Sequence, residues 1–361
     1  MKRAFNFGPG PSALPLSVLQ ETAAEWLDFA GTGMSVLEVS HRGAEYEAVH
    51  KDAQARFKRL LGLGDDYTVL MVGGGASTQF AAVPLNLLRP GQTADYLVTG
   101  YWAKKAYKEA QLFGTVNLAA DTAVEGAYCR VPRAEECLFT PGAAYVHLTS
   151  NNTIFGSQYP SFPKPAAPLV ADMSSDLLSR PIDARAFALI YAGAQKNLGP
   201  AGVTVVIIRN DLLERCRDGM PTMLHYPTLA KADSLHNTPP CFAIYLMGKV
   251  LKWVEEQGGL EGMGRRSKQK AEALYGAIDR HAGFYRAPVD KDSRSAMNVV
   301  FRLPSEELEK RFISEAKAQG MVGLKGHRSV GGVRASIYNG VEPAWVEALA
   351  SFMEQFVRQH G

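Results

Sequence analysis

The sequence has few cysteines and little charge imbalance, and each shortage excludes a class of protein. There are four cysteines: Cys129, Cys137, Cys216 and Cys241. Their spacing matches neither a zinc site nor a redox CxxC pair, so we expect reduced thiols, no metal site and a cytoplasmic protein. The 39 basic and 36 acidic residues leave a formal net charge of +3. Without a block of like charges, nothing favours a nucleic-acid or membrane-surface partner.

Long apolar runs are missing too. The longest aliphatic stretch, at residues 203–208, is far shorter than the roughly 18 residues that a transmembrane helix needs. The first 15 residues pass from two positive charges into Gly and Pro, which argues against a secretory signal. What remains is a chain of 361 residues, 46% of them hydrophobic, which suits a globular protein of two domains.

From about residue 67 onwards, short apolar runs alternate with helical patterns. This alternation predicts an α/β domain with a mostly parallel, seven-stranded sheet. The predicted strands are at 67–72, 95–99, 115–119, 144–148, 169–172, 189–192 and 203–208.

The pattern changes near Gly258. A polar helix is predicted at 261–281, strands at 298–302 and 334–338, and a helix with one apolar face at 343–360. These elements indicate a smaller α+β domain. We therefore place the large domain at 16–258 and the small domain at 1–15 together with 259–361.

A glycine turn at residues 73–75 follows the first predicted strand of the sheet and opens a helix at Ala76 and Ser77. Free backbone N–H groups and the positive end of the helix dipole make such a turn a cradle for phosphate. A tight strand-to-helix turn uses the same glycines, so both readings stand. The turn matches neither a P-loop nor the dinucleotide GxGxxG pattern.

One further strand ends in an acid, Asp172, and another ends shortly before a lysine, Lys196. The carboxyl ends of strands in an open α/β sheet face the ligand crevice, so both side chains can meet there. A lysine among small residues suits Schiff-base chemistry, and an acid can hold a pyridine ring protonated. Alone, each is more simply a surface charge or a helix cap. Together with the glycine turn, they favour a pyridoxal phosphate enzyme.

Other candidate residues also follow strands or lie among glycines. Trp102 can stack on a cofactor ring, and Thr153 can bond a cofactor hydroxyl, although core packing and a turn hydroxyl are the simpler alternatives. Glycine-flanked basic residues can grip anions, or can be solvated loop charges. They occur in three segments, at His41 and Arg42, at 325–328, and at Arg334, which suggests a substrate with more than one anionic group.

Several segments together resemble the phosphoserine aminotransferase family, class-V aminotransferases of fold type I that use pyridoxal 5′-phosphate. The segments 191–202 (YAGAQKNLGPAG) and 325–339 (KGHRSVGGVRASIYN) are the most specific of them. The others are FNFGPGPSALP at 5–15, EVSHRG at 38–43, GGGASTQFAAVPLNLL at 73–88, TADYLVTGYWAKKA at 93–106, SSDLLSRPID at 174–183 and NTPP at 237–240. The resemblance therefore spans nearly the whole chain.

The resemblance implies a role for each candidate. Lys196 binds the cofactor covalently and moves a proton, Asp172 pairs with the ring nitrogen, Trp102 stacks on the ring and Thr153 bonds its hydroxyl. The cofactor phosphate is assigned to Ala76, Ser77 and Gln195, with Asn237 and Thr238 from the second subunit of a homodimer. The substrate is assigned to Arg334 for the α-carboxylate and to His41, Arg42, His327 and Arg328 for the distal phosphate or carboxylate. Some members carry Gly-Arg in place of Ala76-Ser77, so this chain lacks one cation of the phosphate-reading set.

The implied reaction converts L-glutamate and 3-phosphohydroxypyruvate reversibly into 2-oxoglutarate and O-phospho-L-serine, a step of serine biosynthesis. Bacterial relatives also use a four-carbon phosphorylated 2-oxo acid of pyridoxine biosynthesis. Two alternatives remain: another reaction on the same fold, such as a cysteine desulfurase, and a non-catalytic module that binds a phosphate ligand. A desulfurase needs a cysteine in a mobile loop, and no cysteine here lies in a Gly/Ser-rich segment.

Overall fold

The structure is a computed structural model that describes residues 3–361. The strands among these residues are β1 (Phe5–Asn6), β2 (Tyr67–Val72), β3 (Thr93–Val98), β4 (Thr115–Asp121), β5 (Ala123–Val124), β6 (Ala127–Tyr128), β7 (Val146–Thr149), β8 (Leu169–Asp172), β9 (Leu189–Gly193), β10 (Thr204–Arg209), β11 (Asn298–Phe301), β12 (Met321–Val322) and β13 (Val333–Ser336). The α-helices are α1 (Leu16–Ala24), α2 (Ala44–Leu61), α3 (Gly75–Leu87), α4 (Tyr101–Ala110), α5 (Asn210–Leu213), α6 (Tyr226–Lys231), α7 (Cys241–Glu256), α8 (Gly259–Arg280), α9 (Glu306–Ala318) and α10 (Pro343–His360).

The central sheet has seven strands in the order β2-β10-β9-β8-β7-β3-β4. Only β10 runs against its neighbours, and the other pairs are parallel. The predicted seven-stranded, mostly parallel sheet is confirmed. Strands β7, β8 and β9 are buried along their whole length, which is why they read as continuous apolar runs in the sequence.

The sheet direction gathers the predicted site residues at one edge. Strands β2, β3, β7, β8 and β9 all run the same way, so their carboxyl ends lie together. Asp172 is the last residue of β8, while Thr153 and Lys196 lie within four residues of the ends of β7 and β9. This edge is where ligands bind in open α/β sheets.

A second region contains two small sheets and three helices. Strands β11 and β13 pair antiparallel, β1 pairs parallel with β12, and α8, α9 and α10 pack nearby. The predicted helices at 261–281 and 343–360 correspond to α8 and α10, and α10 buries the expected apolar face, including Trp345, Leu349 and Phe356. Both helix predictions are confirmed.

The hydrophobic core of this second region also includes residues from the start of the chain. Phe7 and Ala13 belong to the same cluster of buried side chains as Leu274, Phe312 and Phe356. Separate clusters lie on either side of the central sheet. The domain boundaries at 15/16 and 258/259 stay a prediction, which these separate cores support. No helix within residues 3–361 is long and apolar enough to cross a membrane.

Candidate active site

Strand β2 leads through a glycine turn into helix α3. Gly74 precedes the helix with φ 92° and ψ −9°, a left-handed conformation that favours glycine. No side chain caps the start of α3, so within the described chain the N–H groups of its first turn are left for another acceptor. Gly73, Gly74 and Ser77 are exposed. The turn therefore offers backbone donors and a positive dipole end to an anion.

Gln195 lies beside this turn. A Cβ atom placed on Gly193 would lie 2.8 Å from Oε1 of Gln195 and 3.5 Å from the backbone nitrogen of Ala76. The end of β9 thus brings the Gln195 side chain up to the first turn of α3. The structure brings together three residues predicted to hold the cofactor phosphate: Ala76, Ser77 and Gln195.

Lys196, Thr153 and Trp102 form the centre of the site. The amine of Lys196 donates a hydrogen bond to Oγ1 of Thr153 at 2.7 Å, and the same nitrogen lies 5.7 Å from the centre of the Trp102 ring. Burial lowers the pKa of Lys196 to about 8; Asp172 opposes this shift and the positive charge of Arg334 adds to it. A lysine with this pKa has about one tenth of its amine in the neutral, nucleophilic form at pH 7, far more than a lysine of ordinary pKa.

Asp172 is buried and oriented by Ser174. Its Oδ1 accepts hydrogen bonds from the backbone N–H of Ser174 at 2.9 Å and from the Ser174 hydroxyl at 2.6 Å. Neither of these bonds involves the second oxygen. Burial raises the pKa of Asp172, although Lys196 and Ser174 oppose the shift. A desolvated carboxylate of this kind gains most from a cationic N–H partner.

Arg334 lies on β13 with only 5% of its surface exposed. One of its terminal nitrogens, Nη1, donates to the backbone carbonyl of Thr153 at 3.1 Å, and its Nε is buried without a partner among the described residues. Burial lowers the pKa of Arg334, but an arginine stays charged at neutral pH. A buried cation with an unused N–H group is suited to an anionic partner.

His327 and Arg328 lie in the loop between β12 and β13. The His327 ring lies 5.8 Å from the Tyr101 ring, centre to centre, and its Nδ1 is 2.7 Å from the Ser329 hydroxyl. Burial lowers the pKa of His327, and the positive charges of Arg334 and Arg328 add to the shift. His327 is therefore close to Arg334, while Arg328 is exposed.

Four other predicted site residues lie apart from this cluster. His41 and Arg42 precede helix α2, and in the described part of the chain no hydrogen bond connects them to Lys196 or Arg334. The Nε2 of His41 is buried and unpartnered there, whereas Arg42 is exposed. Asn237 and Thr238 are exposed and line a cavity of about 280 Å³ together with Gly73 and Gly74. Their assignment to a partner's site stays a prediction.

Sequence reasoning missed two residues of the site. Ser174 orients Asp172, and its position two residues after an aspartate is typical of a local turn, which is a signal that was available. Tyr338 is fully buried; its hydroxyl accepts from Asn298 Nδ2 at 3.1 Å and donates to the Pro9 carbonyl at 2.9 Å. No local pattern identified Tyr338, since its partners are far away in the sequence.

These donors and acceptors fit pyridoxal phosphate. The uncapped start of α3 suits a phosphate, the buried Asp172 suits a protonated ring nitrogen, and Lys196 suits an aldehyde. The buried Nε1 of Trp102 has no partner among residues 3–361, which leaves a donor at the same place. The site thus has a complementary group for the phosphate, the ring nitrogen and the aldehyde of this cofactor.

Comparison with known proteins identifies the family of the chain. Residues 4–349 match the family model Aminotransferase class-V. The phosphoserine aminotransferase of Geobacillus kaustophilus (strain HTA426) is 59% identical over 359 residues, which covers 99% of each chain. The phosphoserine aminotransferase of Niallia circulans is 56% identical, covering 100% of this chain and 99% of that protein.

Two solved structures with a similar fold are also phosphoserine aminotransferases. Phosphoserine aminotransferase from Bacillus circulans subsp. alkalophilus superposes with a TM-score of 0.97 at 56% identity and covers 100% of both chains. A PLP-bound phosphoserine aminotransferase from Trichomonas vaginalis has a TM-score of 0.94 at 40% identity, covering 98% of this chain and 100% of that one. The chain therefore belongs to the class-V aminotransferase family, within its group of phosphoserine aminotransferases.

Proposed function

We propose that this protein transfers an amino group reversibly between L-glutamate and 3-phosphohydroxypyruvate, and so forms 2-oxoglutarate and O-phospho-L-serine. Two hydrogen bonds carry the proposal, because they connect Lys196 and Arg334 through Thr153. They place an amine of lowered pKa beside a buried cation. The full-length similarity to phosphoserine aminotransferases supports the same reaction. The protein is accordingly an enzyme of serine biosynthesis.

The cofactor is pyridoxal 5′-phosphate. When bound, it supplies an aldehyde that exchanges an amino group and a ring that withdraws electrons from the substrate α-carbon. Lys196 holds the aldehyde end, Asp172 the ring nitrogen and Trp102 the ring face. Thr153 offers its hydroxyl. The phosphate is held by Ala76, Ser77 and Gln195 of one subunit and by Asn237 and Thr238 of its partner.

The proton that leaves the substrate α-carbon is accepted at Nζ of Lys196. Burial favours the neutral amine, and Thr153 Oγ1 fixes its direction at 2.7 Å. The same nitrogen returns a proton when the second substrate is converted. One site thus serves both half-reactions, which gives ping-pong kinetics: 2-oxoglutarate leaves before 3-phosphohydroxypyruvate binds.

Substrate recognition divides between two anionic ends. Arg334 binds the α-carboxylate with its planar guanidinium, whose Nη1 is already fixed by the Thr153 carbonyl. His41, Arg42, His327 and Arg328 bind the distal group. This group is a carboxylate in glutamate and a phosphate in the phosphorylated substrate. Burial and the positive charges of Arg334 and Arg328 lower the pKa of His327, and a dianionic phosphate beside this ring opposes the shift because it favours the protonated form.

The active unit is a homodimer. Large apolar side chains are exposed along residues 16–37, where a monomer would leave them in water: Leu16, Trp26, Leu27, Met34 and Leu37. A second copy covers this surface and supplies His41, Arg42, Asn237 and Thr238 to the opposite site. Sedimentation of the wild type as a dimer, and of Leu27→Asp as a monomer, tests this arrangement. A monomeric wild type with full activity contradicts it.

Two finer points accompany the main reaction. The pocket that reads a three-carbon phosphorylated oxo acid also suits the four-carbon one of pyridoxine biosynthesis, which a direct assay with that substrate tests.

Burial raises the pKa of all four free cysteines, that of Cys216 to about 12. Unreactive thiols argue against a desulfurase and suit a protein of the reducing cytoplasm, which cell fractionation tests.

A coupled assay tests the proposed function. The rate constant kcat/KM with 3-phosphohydroxypyruvate is compared with that for unphosphorylated hydroxypyruvate, with L-glutamate as donor. We expect a large preference for the phosphorylated acid, since the distal residues lose their anion otherwise. Equal values for the two acids would mean that the basic residues do not read a phosphate.

A further inference from the structure

Helix α8 carries a buried lysine that the proposed reaction does not use. The side chain of Lys270 is 1% exposed, and its amine donates to the backbone carbonyls of Tyr338 at 2.6 Å and of Val341 at 3.1 Å. Burial lowers the pKa of Lys270 to about 7, and the positive charge of Arg266 adds to the shift. Burying a lysine is costly, so a helix that only needed to pack would use an apolar side chain here.

Lys270 braces a turn at residues 338–341. The backbone N–H of Val341 donates to the carbonyl of Tyr338 at 2.9 Å and closes this turn. Because the lysine bonds carbonyls at both ends, it fixes the turn as a unit. Gly340 presses the turn against the N-terminal segment, since a Cβ atom there would lie 2.3 Å from the carbonyl oxygen of Ala13.

The 338–341 turn reaches Lys196 by two routes. On one side, the backbone N–H of Asn339 donates to Oδ1 of Asn197, the residue after Lys196, at 2.9 Å. On the other side, the Tyr338 hydroxyl donates to the carbonyl of Pro9 at 2.9 Å.

The second route ends against the lysine side chain itself. Gly10, which follows Pro9, has φ +137°, and a Cβ atom on it would lie 3.1 Å from Cγ of Lys196. The next contact along the segment is from the Ser12 hydroxyl to the carbonyl of Lys196. The turn therefore holds both the backbone after Lys196 and the segment that packs on its side chain.

We propose that Lys270 is a positioning residue for Lys196, acting through the 338–341 turn on Asn197 and on the Pro9–Gly10 backbone. The inference rests on the proposed role of Lys196. Lys270 itself touches neither substrate nor cofactor, so it sets the direction of the amine rather than binding anything. A shift of about 1 Å in such a group lowers a rate by up to about a hundredfold.

The test uses the holoenzyme of Lys270→Met, which keeps most of the side-chain volume and removes the donors. We expect kcat to fall about tenfold or more while KM for L-glutamate stays unchanged. We also expect the midpoint of the pH titration of the cofactor absorbance to move by about one unit, because the surroundings of Lys196 change. Ser267→Ala is the matched control: it removes a 3.1 Å bond from the same helix to the carbonyl of Ser179 and should leave both readouts unchanged.

Two further variants keep the test valid if Lys270→Met fails to fold. Asn197→Ala and Tyr338→Phe each break one route and should each shift the titration midpoint. If Lys270→Met does fold, adding Asn197→Ala should give less than the product of the two separate effects. A lower melting temperature with unchanged midpoint and kcat in all these variants overturns the inference. If Lys196 does not carry the cofactor in the wild type, the proposed function fails instead.

Discussion

The side-chain oxygen of Thr153 lies 2.7 Å from the amine of Lys196 and accepts its hydrogen bond. The carbonyl of the same threonine accepts from Arg334 at 3.1 Å. Thr153, four positions after the end of strand β7, thus connects the predicted cofactor lysine, which follows β9, with the predicted carboxylate-binding arginine on β13. In the proposed reaction, this contact couples the direction of the amine to the position of the substrate carboxylate.

Thr153→Ala is expected to lower kcat by about tenfold, because the amine loses the acceptor that directs it. Thr153→Ser keeps the hydroxyl and is the matched control, with kcat close to that of the wild type. Steady-state kinetics with both substrates measure the difference. Equal losses in the two variants would show that the methyl group, rather than the hydrogen bond, matters at this position.

The pKa of Lys196, lowered to about 8, predicts how the apoenzyme captures its cofactor. Only the neutral amine attacks an aldehyde, so the rate of pyridoxal phosphate uptake should rise with pH and level off above about 8. An unperturbed lysine would continue to gain rate up to about pH 10.4. Stopped-flow absorbance of the apoenzyme mixed with cofactor gives the profile. A rate that still rises steeply above pH 9 contradicts the lowered pKa.

Asp172→Asn replaces a buried carboxylate by an amide of the same shape. We expect the cofactor to bind and kcat to fall by about a hundredfold or more, because the ring nitrogen loses its anionic partner. Absorbance measures binding, and steady-state assays measure kcat. Asp183 is exposed in a loop outside the site, so Asp183→Asn serves as the control. A fully active Asp172→Asn enzyme would exclude the proposed electrostatic role.

Arg334→Lys keeps the charge but loses the planar fork that binds a carboxylate with two hydrogen bonds. KM for L-glutamate should rise about tenfold or more. Arg294→Lys is the matched control, since Arg294 pairs in the same way with Asp279 outside the site. If both variants keep the wild-type KM, Arg334 does not hold the α-carboxylate.

Arg42→Ala tests the distal end of the substrate. If this arginine reads the distal anion, KM should rise for L-glutamate and for 3-phosphohydroxypyruvate, because both carry an anion there. The exposed Arg358 near the end of α10 offers a control substitution, Arg358→Ala. An unchanged KM for both substrates would remove Arg42 from the site.

The sequence predicted secondary structure best where a strand is buried on both faces. Strands β8 and β9 read as apolar runs, of which β8 ends in the candidate residue Asp172 and β9 ends three residues before Lys196, so both the strands and the edge they share were predictable. Helix α10 was predictable for a similar reason, since its apolar face repeats with helical spacing.

Contacts between distant segments were not predictable. Strands β1 and β12 have two residues each, too few for a periodic pattern, and their pairing joins residues more than 300 positions apart. The bonds of Lys270 to Tyr338 and Val341 depend on how α8 packs, which no local pattern records. Sequence reasoning therefore identified the candidate site residues, whose roles stay predictions, but not the long-range contacts around them.

Reduction of the holoenzyme with borohydride, followed by peptide mass spectrometry, tests the central claim most directly. A cofactor joined to the enzyme through a reducible carbon–nitrogen bond becomes permanently attached to the amine that holds it. We predict one labelled peptide, with the added mass on Lys196 and none on Lys270 or on Lys105, whose amine lies 5.4 Å from the centre of the Trp102 ring. Label on another lysine, or no label in a preparation that binds the cofactor, would contradict the account.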